Sequence, residues 1–265
     1  MIKREQLLFY ALKYKGNYNL ITQAILKNET WEKQDDTITH YLTILDENYP
    51  FPLLNLRNPP FVLFYKGDIS LINKRMCSIV GGRIACTYAK EFTEFAVEKL
   101  AEEYIIVSGL AKGIDGIAHQ TALHHGKTIG ILGSGIDRCY PKENHCIYNC
   151  MSIDHLLISE YPGEIEPKKV HFPFRNRLIA ALGEFLLVTQ AQVRSGTMIT
   201  VNEALELGKE VYTIPYPIHD INGEGCNLLI EQGAQIILSK HDFISKLVDK
   251  REKIIQYKKR FGGIS

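Results

Sequence analysis

The sequence has no stretch that approaches the roughly 20 consecutive apolar residues of a membrane-spanning helix. Its first six residues carry charges without the apolar segment of a signal peptide behind them. The sequence also lacks a charge of one dominant sign, since 31 Lys and Arg stand against 30 Asp and Glu for a net charge of +1. We therefore expect a cytoplasmic protein with no membrane segment, in which any site for a polyanion is a local patch.

The cysteines are few and have no diagnostic spacing. The six form no C-x-x-C pair and fit no disulfide framework, so reduced thiols are expected. Cys139, His145, Cys146 and Cys150 are close enough in sequence to form a zinc cluster. However, Cys146 and Cys150 equally fit one face of a helix turned toward a core, and we predict no metal site.

Two nucleotide-binding signatures are missing as well. No G-x-G-x-x-G is followed at the right distance by an acidic residue that would hold a ribose. The segment Gly109-Leu110-Ala111-Lys112-Gly113 lacks the Gly-Lys-Ser/Thr ending of a Walker motif. These absences argue against a dinucleotide cofactor and against ATP hydrolysis, so no cofactor is expected.

The composition is that of an ordinary folded chain. At 265 residues and 45% hydrophobic, it is expected to form one main domain and a small one. Residues 1 to about 45 show short helical patterns, and the prolines between residues 50 and 60 interrupt any helix that follows. We predict a small all-α domain at residues 1–48, a main domain at residues 49–249 and a basic tail at residues 250–265.

In the main domain, short apolar runs alternate with helical patterns, which is typical of a doubly wound α/β fold with a mostly parallel sheet. The predicted strands are 62–65, 77–80, 105–108, 128–132, 156–159, 185–189, 211–214 and 235–238. The predicted helices are about 88–102, 114–124, 143–150, 175–182, 198–207 and 227–231. In such a sheet ligands lie beyond the carboxyl ends of the strands, so the strand-to-helix turns should carry the function.

Small residues occupy four of these turns. There, exposed backbone N–H groups at a helix start can face an anion. The glycine turn at Gly133-Ser134-Gly135, taken alone, indicates only tight packing. The predicted phosphate-facing residues are Gly81, Gly82, Ser108, Gly109, Gly113, Ser195, Gly196 and Thr197.

The segment 168–182 combines cations with aromatic rings. Two lysines, an aromatic pair around Pro173 and two arginines precede an apolar run that resembles a helix. Lys and Arg neutralise phosphates, and a base can stack on a Phe ring for roughly 1–3 kcal/mol with little dependence on sequence. The segment therefore suits a single-stranded nucleic acid. The alternative is a loop in which Phe172 and Phe174 are core residues and the arginines are solvated.

These motifs resemble the DprA (Smf) family of bacterial DNA-uptake proteins. The matching segments are 107–115 with Ala118-His119, 132–137 with 140–144, 159–162, 171–180, 194–200, 225–230 and 233–234, which together cover roughly residues 50 to 240. The resemblance implies an extended Rossmann-like domain that binds single-stranded DNA, usually as a homodimer, and helps to place the RecA recombinase on incoming strands during natural transformation. It also implies that the N-terminal helical domain is similar to a sterile-alpha-motif or helix-hairpin-helix domain.

The resemblance gives roles to individual residues. Arg83, Lys142 and Lys169 correspond to cations that contact DNA, and Phe172 corresponds to a stacking ring. Within the Arg-Asn-Arg box at residues 175–177, we expect Arg177 to brace the pocket. The predicted DNA contacts are Arg83, Lys142, Lys169, Phe172, Arg175, Asn176 and Arg194.

Two positions depart from the family pattern. Gly82 stands where the family often has Ser or Thr, so a hydroxyl donor is lost. Gln190 stands where Glu is common, which removes a charge near the anion site. Either easier anion binding or a weaker brace on an arginine would follow from the second change.

Catalysis has weaker support. Asp115 and His119 share a helix face and would suit an acid–base pair, but capping and helix packing explain them better, so we predict structural parts for both. Neither Ser108 nor Ser195 has an evident His and carboxylate partner. The loop 194–197 with Glu203 also resembles nucleoside-monophosphate phosphoribohydrolases, and a plain nucleotide-binding module is a third reading. We expect a protein that is not an enzyme.

The C-terminal part offers an edge for self-association. The segment 235–238 is an aliphatic edge strand, and uncovered edges invite pairing. The resemblance places a dimer contact here, for which we predict Ile230 and Ile236. The alternative is an interior edge packed under residues 243–248. The resemblance also implies that the helix carrying Asn202, Glu203, Leu205 and Glu206 is a candidate surface for a protein partner. The basic tail either adds to DNA contact or is a solvated end.

Overall fold

The order of elements follows the alternation of apolar runs and helical patterns. The computed structural model describes residues 2–33 and 40–248. The helices are α1 Arg4–Lys13, α2 Tyr18–Leu26, α3 Phe51–Leu54, α4 Thr87–Leu100, α5 Ile114–His125, α6 His145–Asp154, α7 His171–Leu182, α8 Gly196–Glu206, α9 Glu224–Glu231 and α10 Lys240–Phe243. Short 3₁₀ turns at Ile69–Asn73 and Lys142–Asn144 and a π turn at Ile244–Val248 complete the helical structure.

Nine strands form one sheet. They are β1 Tyr41–Thr43, β2 Val62–Gly67, β3 Met76–Val80, β4 Ile105–Ser108, β5 Thr128–Ile131, β6 Leu156–Ser159, β7 Phe185–Val188, β8 Glu210–Thr213 and β9 Gln235–Ile236. Their order is β1-β2-β6-β5-β4-β3-β7-β8-β9. The strands from β3 to β9 pair in parallel, whereas β2 runs antiparallel to β6 and β1 antiparallel to β2. The predicted doubly wound, mostly parallel α/β fold with N-terminal helices is confirmed.

The strand order contains a switch point. From β3 the chain adds β4, β5 and β6 on one side and then returns to place β7 on the other side. In doubly wound sheets a crevice opens at such a point, beyond the carboxyl ends of the strands. The turns after β3 and β7 border this crevice, and they are two of the four small-residue turns singled out in the sequence.

The core lies on both faces of the central strands. Every residue of β3 to β7 is buried, as expected for parallel strands covered by helices. The N-terminal helices pack on the sheet through a second apolar cluster, in which Leu7 and Tyr10 meet Phe64 and Met151. The turn between α1 and α2 also touches the main domain, because a Cβ at Gly16 would lie 2.3 Å from the carbonyl oxygen of Glu160.

Some elements differ from the prediction. Strand β1 was missed, and helix α7 begins at His171 rather than at Arg175. Pro173 is tolerated there because the first-turn N–H groups of a helix have no partner within it. Strand β9 covers only two of the four predicted residues. Cys146 and Cys150 are exposed on α6 and do not face the core.

Residues 2–33 and 40–248 contain neither a membrane-spanning helix nor a cluster of metal ligands. No helix in these ranges is long and apolar enough to cross a membrane. No group of three or more His, Cys, Asp or Glu side chains in them could hold a metal ion.

Candidate nucleic-acid interface

A cavity of about 540 Å³ lies at the switch point. We call it the switch-point cavity. Its walls come from the turns after β3 and β7, the start of α5, the segment that enters α7 and the first turn of α8. Eleven residues singled out in the sequence line it: Gly81, Gly82, Arg83, Asp115, Lys169, Phe172, Arg175, Asn176, Ser195, Gly196 and Thr197.

A cation and a ring form the open side of this cavity. The guanidinium carbon of Arg83 lies 5.8 Å from the centroid of the Phe172 ring. Arg83 and the neighbouring Lys169 are exposed, and neither belongs to any ion pair among the described residues. Their charges are therefore available to an anionic ligand. Phe172 is half-buried, which leaves part of its ring accessible.

Tight packing fixes the position of the Phe172 ring. A Cβ at Gly133 would lie 2.8 Å from the Phe172 Cδ1 atom, so the ring rests directly against this turn. The Tyr140 ring lies beside it with a centroid separation of 5.6 Å. Gly133 thus serves close packing. Phe172 is neither the fully buried core residue nor the fully solvated loop residue of the alternative interpretation.

Two of the predicted cations lie outside the cavity. Lys142 is exposed at the start of a short 3₁₀ turn, two residues beyond Tyr140. Arg194 is exposed immediately before Ser195, which does line the cavity. Arg194 is therefore next to the cavity in sequence, whereas Lys142 is two residues from a ring that contacts Phe172, and neither forms the cavity wall.

Of the turn after β4, only Ala111 lines the switch-point cavity. The Gly109 N–H donates to Asp115 Oδ2 at 3.2 Å, and the Leu110 N–H donates to His119 Nε2 at 3.3 Å. The Ser108 hydroxyl donates to the Ile79 carbonyl. Two backbone amides of this turn are thus hydrogen-bonded to side chains of α5. Ser108 and Gly109 pack the turn in place of facing a phosphate.

Gly113 links this turn to the one that carries Arg83. Its φ is +73°, and a Cβ there would lie 2.2 Å from the Gly82 carbonyl oxygen. The next residue, Ile114, donates its N–H to the same oxygen at 3.1 Å. Only glycine satisfies both the backbone conformation and the close approach. Gly113 therefore positions the Arg83 turn and does not line the cavity.

Arg175 is a brace in this structure. It is buried, and its Nη1 atom donates to the carbonyl oxygens of Gly109, at 2.7 Å, and Ile131. Burial lowers its pKa to about 10, which the Asp115 carboxylate opposes. Burial likewise raises the pKa of Asp115, and Arg175 opposes that shift. The sequence predicted Arg175 as a DNA contact, whereas its hydrogen bonds hold the ends of β4 and β5 in register.

The other two residues of the box connect α7 to its surroundings. Asn176 accepts from Arg175 Nε and donates from Nδ2 to the Gly196 carbonyl at 3.2 Å, so it ties α7 to the start of α8. Arg177 is buried and donates from Nη1 and Nη2 to the two Glu160 carboxylate oxygens, each at 2.6 Å. Arg177 therefore lies away from the cavity and fixes α7 against the chain after β6.

The start of α8 presents backbone amides to the cavity. Within the described ranges no side chain caps this helix, and the Ser195 hydroxyl donates instead to the Gln192 carbonyl. The first-turn N–H groups of a helix have no partner within it, and the helix dipole favours an anion there. These amides face the cavity beside Arg83, which suits a phosphate.

The two departures from the family pattern contact each other. Gln190 donates from Nε2 to the Ile84 carbonyl at 2.8 Å and accepts at Oε1 from the Cys86 N–H at 2.9 Å. A carboxylate at this position could not make the first of these bonds. A Cβ at Gly82 would lie 2.8 Å from Gln190 Nε2. The glycine thus leaves room for an amide that clamps the Arg83 turn.

Two of the candidate catalytic residues, Asp115 and His119, are engaged in structural hydrogen bonds. His119 is fully buried, with Nδ1 against the Thr128 hydroxyl at 2.7 Å, and Asp115 accepts from the Gly109 amide. Glu203, the acid that a phosphoribohydrolase would need, does not line the switch-point cavity. Burial raises the pKa of Glu203.

Comparison with known proteins places the chain in a family. The family model described as DNA recombination-mediator protein A matches residues 40–248. The DNA processing protein DprA of Streptococcus pneumoniae is 42% identical over 206 residues, 77% of this chain and 73% of that protein. DprA of Bacillus subtilis is 39% identical over 254 residues, 91% of this chain and 84% of that protein.

Solved structures agree with this. The X-ray structure of DprA from Streptococcus pneumoniae matches with a TM-score of 0.76 and 34% identity, over 92% of this chain and 93% of that one. DprA from Helicobacter pylori, whose structure describes its single-stranded DNA binding mode, matches with a TM-score of 0.72 and 33% identity, over 78% of this chain and 95% of that one. The resemblance read from the motifs is thus confirmed, and the chain belongs to the DNA recombination-mediator protein A (DprA/Smf) family, with its Rossmann-like fold.

Proposed function

We propose that the switch-point cavity binds single-stranded DNA. The observation that carries the proposal is the Arg83 guanidinium over the Phe172 ring, next to Lys169 and the open amides of α8. This set offers phosphates two unpaired cations and a helix start, and it offers a base one ring. A phosphate-binding cation, a helix start and a stacking ring do not by themselves select a particular base. The single-stranded DNA binding mode described for the Helicobacter pylori protein supports the same reading.

The remaining predicted contacts belong to this proposal. Lys142 and Arg194 are exposed cations outside the cavity wall, one two residues from Tyr140 and the other next to Ser195, and both suit phosphates of a strand that extends beyond the cavity. Arg175 and Asn176 act by holding the turns in place, with Asn176 also exposing an edge to the cavity. The protein is then a binding protein rather than an enzyme.

Titration of fluorescently labelled oligo-dT by anisotropy tests the proposal. We expect Arg83→Ala and Lys169→Ala to weaken binding and to reduce the slope of log K against log salt by about 0.7 for each lost phosphate contact. Phe172→Ala should cost roughly 1–3 kcal/mol through lost stacking, with little change in the salt slope.

The controls use the same residue types elsewhere. Lys74, exposed just before β3, is at the opposite end of that strand from Arg83, and Phe51 is an exposed ring on α3. Lys74→Ala and Phe51→Ala should bind as the wild type does. Wild-type protein that is folded and does not bind oligo-dT would end the proposal.

We also propose that the protein acts as a cytoplasmic homodimer that protects incoming DNA and loads the RecA recombinase onto it during natural transformation. Membership of a recombination-mediator family supports this. Filament formation by RecA on DNA coated with single-strand-binding protein should be faster with wild-type protein than with Arg83→Ala. Equal rates would contradict the proposed loading.

A further inference from the structure

A second cavity lies next to the first, between the N-terminal helices and the main domain. It encloses about 470 Å³. One wall is the turn between α1 and α2 together with the first turn of α2. The other wall comes from the chain after β6 and the segment that leads into α7. Its lining is Tyr14, Lys15, Gly16, Asn17, Tyr18, Asn19, Leu20, Tyr161, Ile165, Lys168, Val170, His171 and Phe174. We call it the module cavity.

The two cavities share one wall, the segment 168–174. Lys169 and Phe172 line the switch-point cavity, whereas Lys168 and His171 line the module cavity. Lys168 and Lys169 are consecutive in sequence, with Cα atoms about 3.8 Å apart, yet they line different cavities. The backbone between them is therefore a narrow ridge between the two cavities. Each side of the ridge thus presents a cation and a ring. A polymer that leaves one cavity over this ridge enters the other directly.

The cations of the module cavity are free to bind an anion. Lys15 and Lys168 are exposed, and neither forms an ion pair with another residue in 2–33 or 40–248. By contrast, Lys13 on the preceding turn is paired with Glu29. Three carboxylates lie on the chain after β6 near this region, and each is paired with an arginine: Glu160 with Arg177, and Glu164 and Glu166 with Arg138. Because these carboxylates are paired and the two lysines are not, the cavity favours a polyanion over an acidic or purely apolar partner.

The turn that carries Lys15 is held in place. Lys15 has a φ of +52°, in the left-handed region that a residue with a Cβ rarely adopts. The following Gly16 N–H donates to the Ala11 carbonyl at 2.8 Å, and Gly16 itself lies against Glu160. Backbone outliers of this kind persist where the surrounding structure over-determines them. The helical domain thus presents Lys15 to the cavity from a fixed position.

The module cavity also has an aromatic lining. The Tyr161 and His171 rings stack with a centroid separation of 4.0 Å, and Tyr18 stacks on Phe61 at 4.8 Å. Burial lowers the pKa of His171, so this ring is neutral at physiological pH and adds no charge. Neutral rings beside two unpaired lysines repeat the chemistry of the switch-point cavity.

We propose that the module cavity is a second subsite for the same DNA strand, so that the N-terminal helical domain extends the binding path of the main domain. Phosphates of the strand bind Lys168 and Lys15 on either side, and its sugars and bases lie against the rings. The inference rests on the proposed binding of single-stranded DNA to the switch-point cavity.

Length-dependent binding tests this subsite. We expect the double variant Lys15→Ala/Lys168→Ala to bind the shortest oligo-dT as the wild type does and to fall behind as the length increases over roughly 4 to 16 nucleotides. On the longest oligonucleotide its salt slope should be smaller by about 1.4, since each phosphate contact on a single strand contributes about 0.7. Lys27→Ala, which removes an exposed charge from the same helical domain outside both cavities, is the control.

A cross-link locates the strand independently. Oligonucleotides that contain 5-bromodeoxyuridine, irradiated on the wild-type protein, should attach to the peptide that holds residues 14–20. If the wild type binds DNA but the double variant loses nothing with length and no cross-link falls in this peptide, the subsite is refuted while the switch-point proposal stands. The cavity would then serve another occupant, such as a segment of a partner protein. If wild-type protein binds no single-stranded DNA, both proposals fail.

Discussion

His119 shows at the scale of one residue how the chain fixes the turn after β4. Its Nδ1–H donates to the Thr128 hydroxyl, which itself donates to the Ile106 carbonyl, and its Nε2 accepts from the Leu110 N–H. One ring nitrogen can donate while the other accepts only when the imidazole is neutral. Burial accordingly lowers its pKa from 6.5 to about 3.

This pKa makes stability depend on pH in a stated direction. Between about pH 3 and 6.5, His119 is protonated in the unfolded chain and neutral in the folded protein. The contribution of His119 to the free energy of unfolding is therefore complete above pH 6.5 and is lost as the pH falls. His119→Gln removes the titration. We expect the free energy of unfolding of the wild type to fall by about 2 kcal/mol more than that of this variant between pH 7 and pH 5, in urea denaturation.

His124, exposed on the last turn of the same helix, is the matched control. His124→Gln should keep the wild-type dependence on pH. Parallel stability curves for the wild type and His119→Gln would show that His119 is not held neutral.

At the scale of elements, two turns from neighbouring strands depend on each other. The Arg83 turn after β3 packs on Gly113 after β4, and the Gln190 side chain after β7 clamps it from the other side. Arg83 therefore owes its position to residues from three strand ends. A change in any of these contacts should alter the proposed DNA binding without replacing a residue that is proposed to contact DNA.

Gly113→Ala tests this dependence. The new Cβ would clash with the Gly82 carbonyl and would also meet the cost of a positive φ that is favourable only for glycine, about 1–3 kcal/mol. We expect a loss of stability larger than that cost, measured by urea denaturation, together with weaker binding of oligo-dT at a temperature where the variant is folded.

Gly208→Ala is a control that distinguishes backbone strain from displacement of the Arg83 turn. It has a φ of +67° with no heavy atom within 4 Å of an added Cβ. Gly208→Ala should therefore meet only the conformational cost and bind DNA normally. Equal effects of the two substitutions on binding would show that the Arg83 turn does not rest on Gly113.

The elements that the sequence predicted are those with a strong local signal. The buried strands read as continuous apolar runs, so β4 and β6 were placed at their exact bounds. Strand β1 has three residues and no such run, and it exists because β2 offers a free edge. The sequence pattern predicts the start of α7 four residues too late, because Pro173 favours a loop although a helix tolerates proline in its first turn.

The candidate site divides in the same way. The residue types that suit phosphates and bases were visible in the sequence, and most of them do meet in one cavity. The sequence could not predict which hydrogen-bond donors are already paired within the protein, because this depends on contacts between residues distant in sequence. Arg175 reaches the carbonyls of Gly109 and Ile131, and the Gly109 amide is taken by Asp115. The module cavity, formed between two distant segments, had no signal in the sequence at all.

At the scale of the whole molecule, the two ends of the sheet differ. The β1 edge lies beside the N-terminal helices, with which it shares an apolar cluster. The β9 edge has two residues, of which Gln235 is exposed and Ile236 half-buried. Lys246 Nζ donates to the Ile236 carbonyl at 2.7 Å, and Phe243 and Leu247 are buried beneath. The chain after β9 thus packs against this edge, yet Leu238 remains 70% exposed and Ile230 half-buried.

This edge is the surface we propose for the homodimer. A charge at a half-buried aliphatic position costs little in a monomer that can turn the side chain to solvent, and it costs far more when a second chain covers the site. We expect wild-type protein to sediment as a dimer, and Ile236→Lys and Leu238→Lys to sediment as monomers at the same concentration.

Ile153 is a matched control, because it is 72% exposed on α6, which packs near the β2 end of the sheet, away from β9. Ile153→Lys should leave the dimer intact. The shortest oligo-dT occupies one switch-point cavity, so all three variants should bind it as the wild type does. Loss of that binding together with the dimer would mean that the partner chain contributes to the cavity, and a wild-type mass of one chain at every concentration would refute the dimer. Separating these outcomes decides whether one protomer is a complete binding unit.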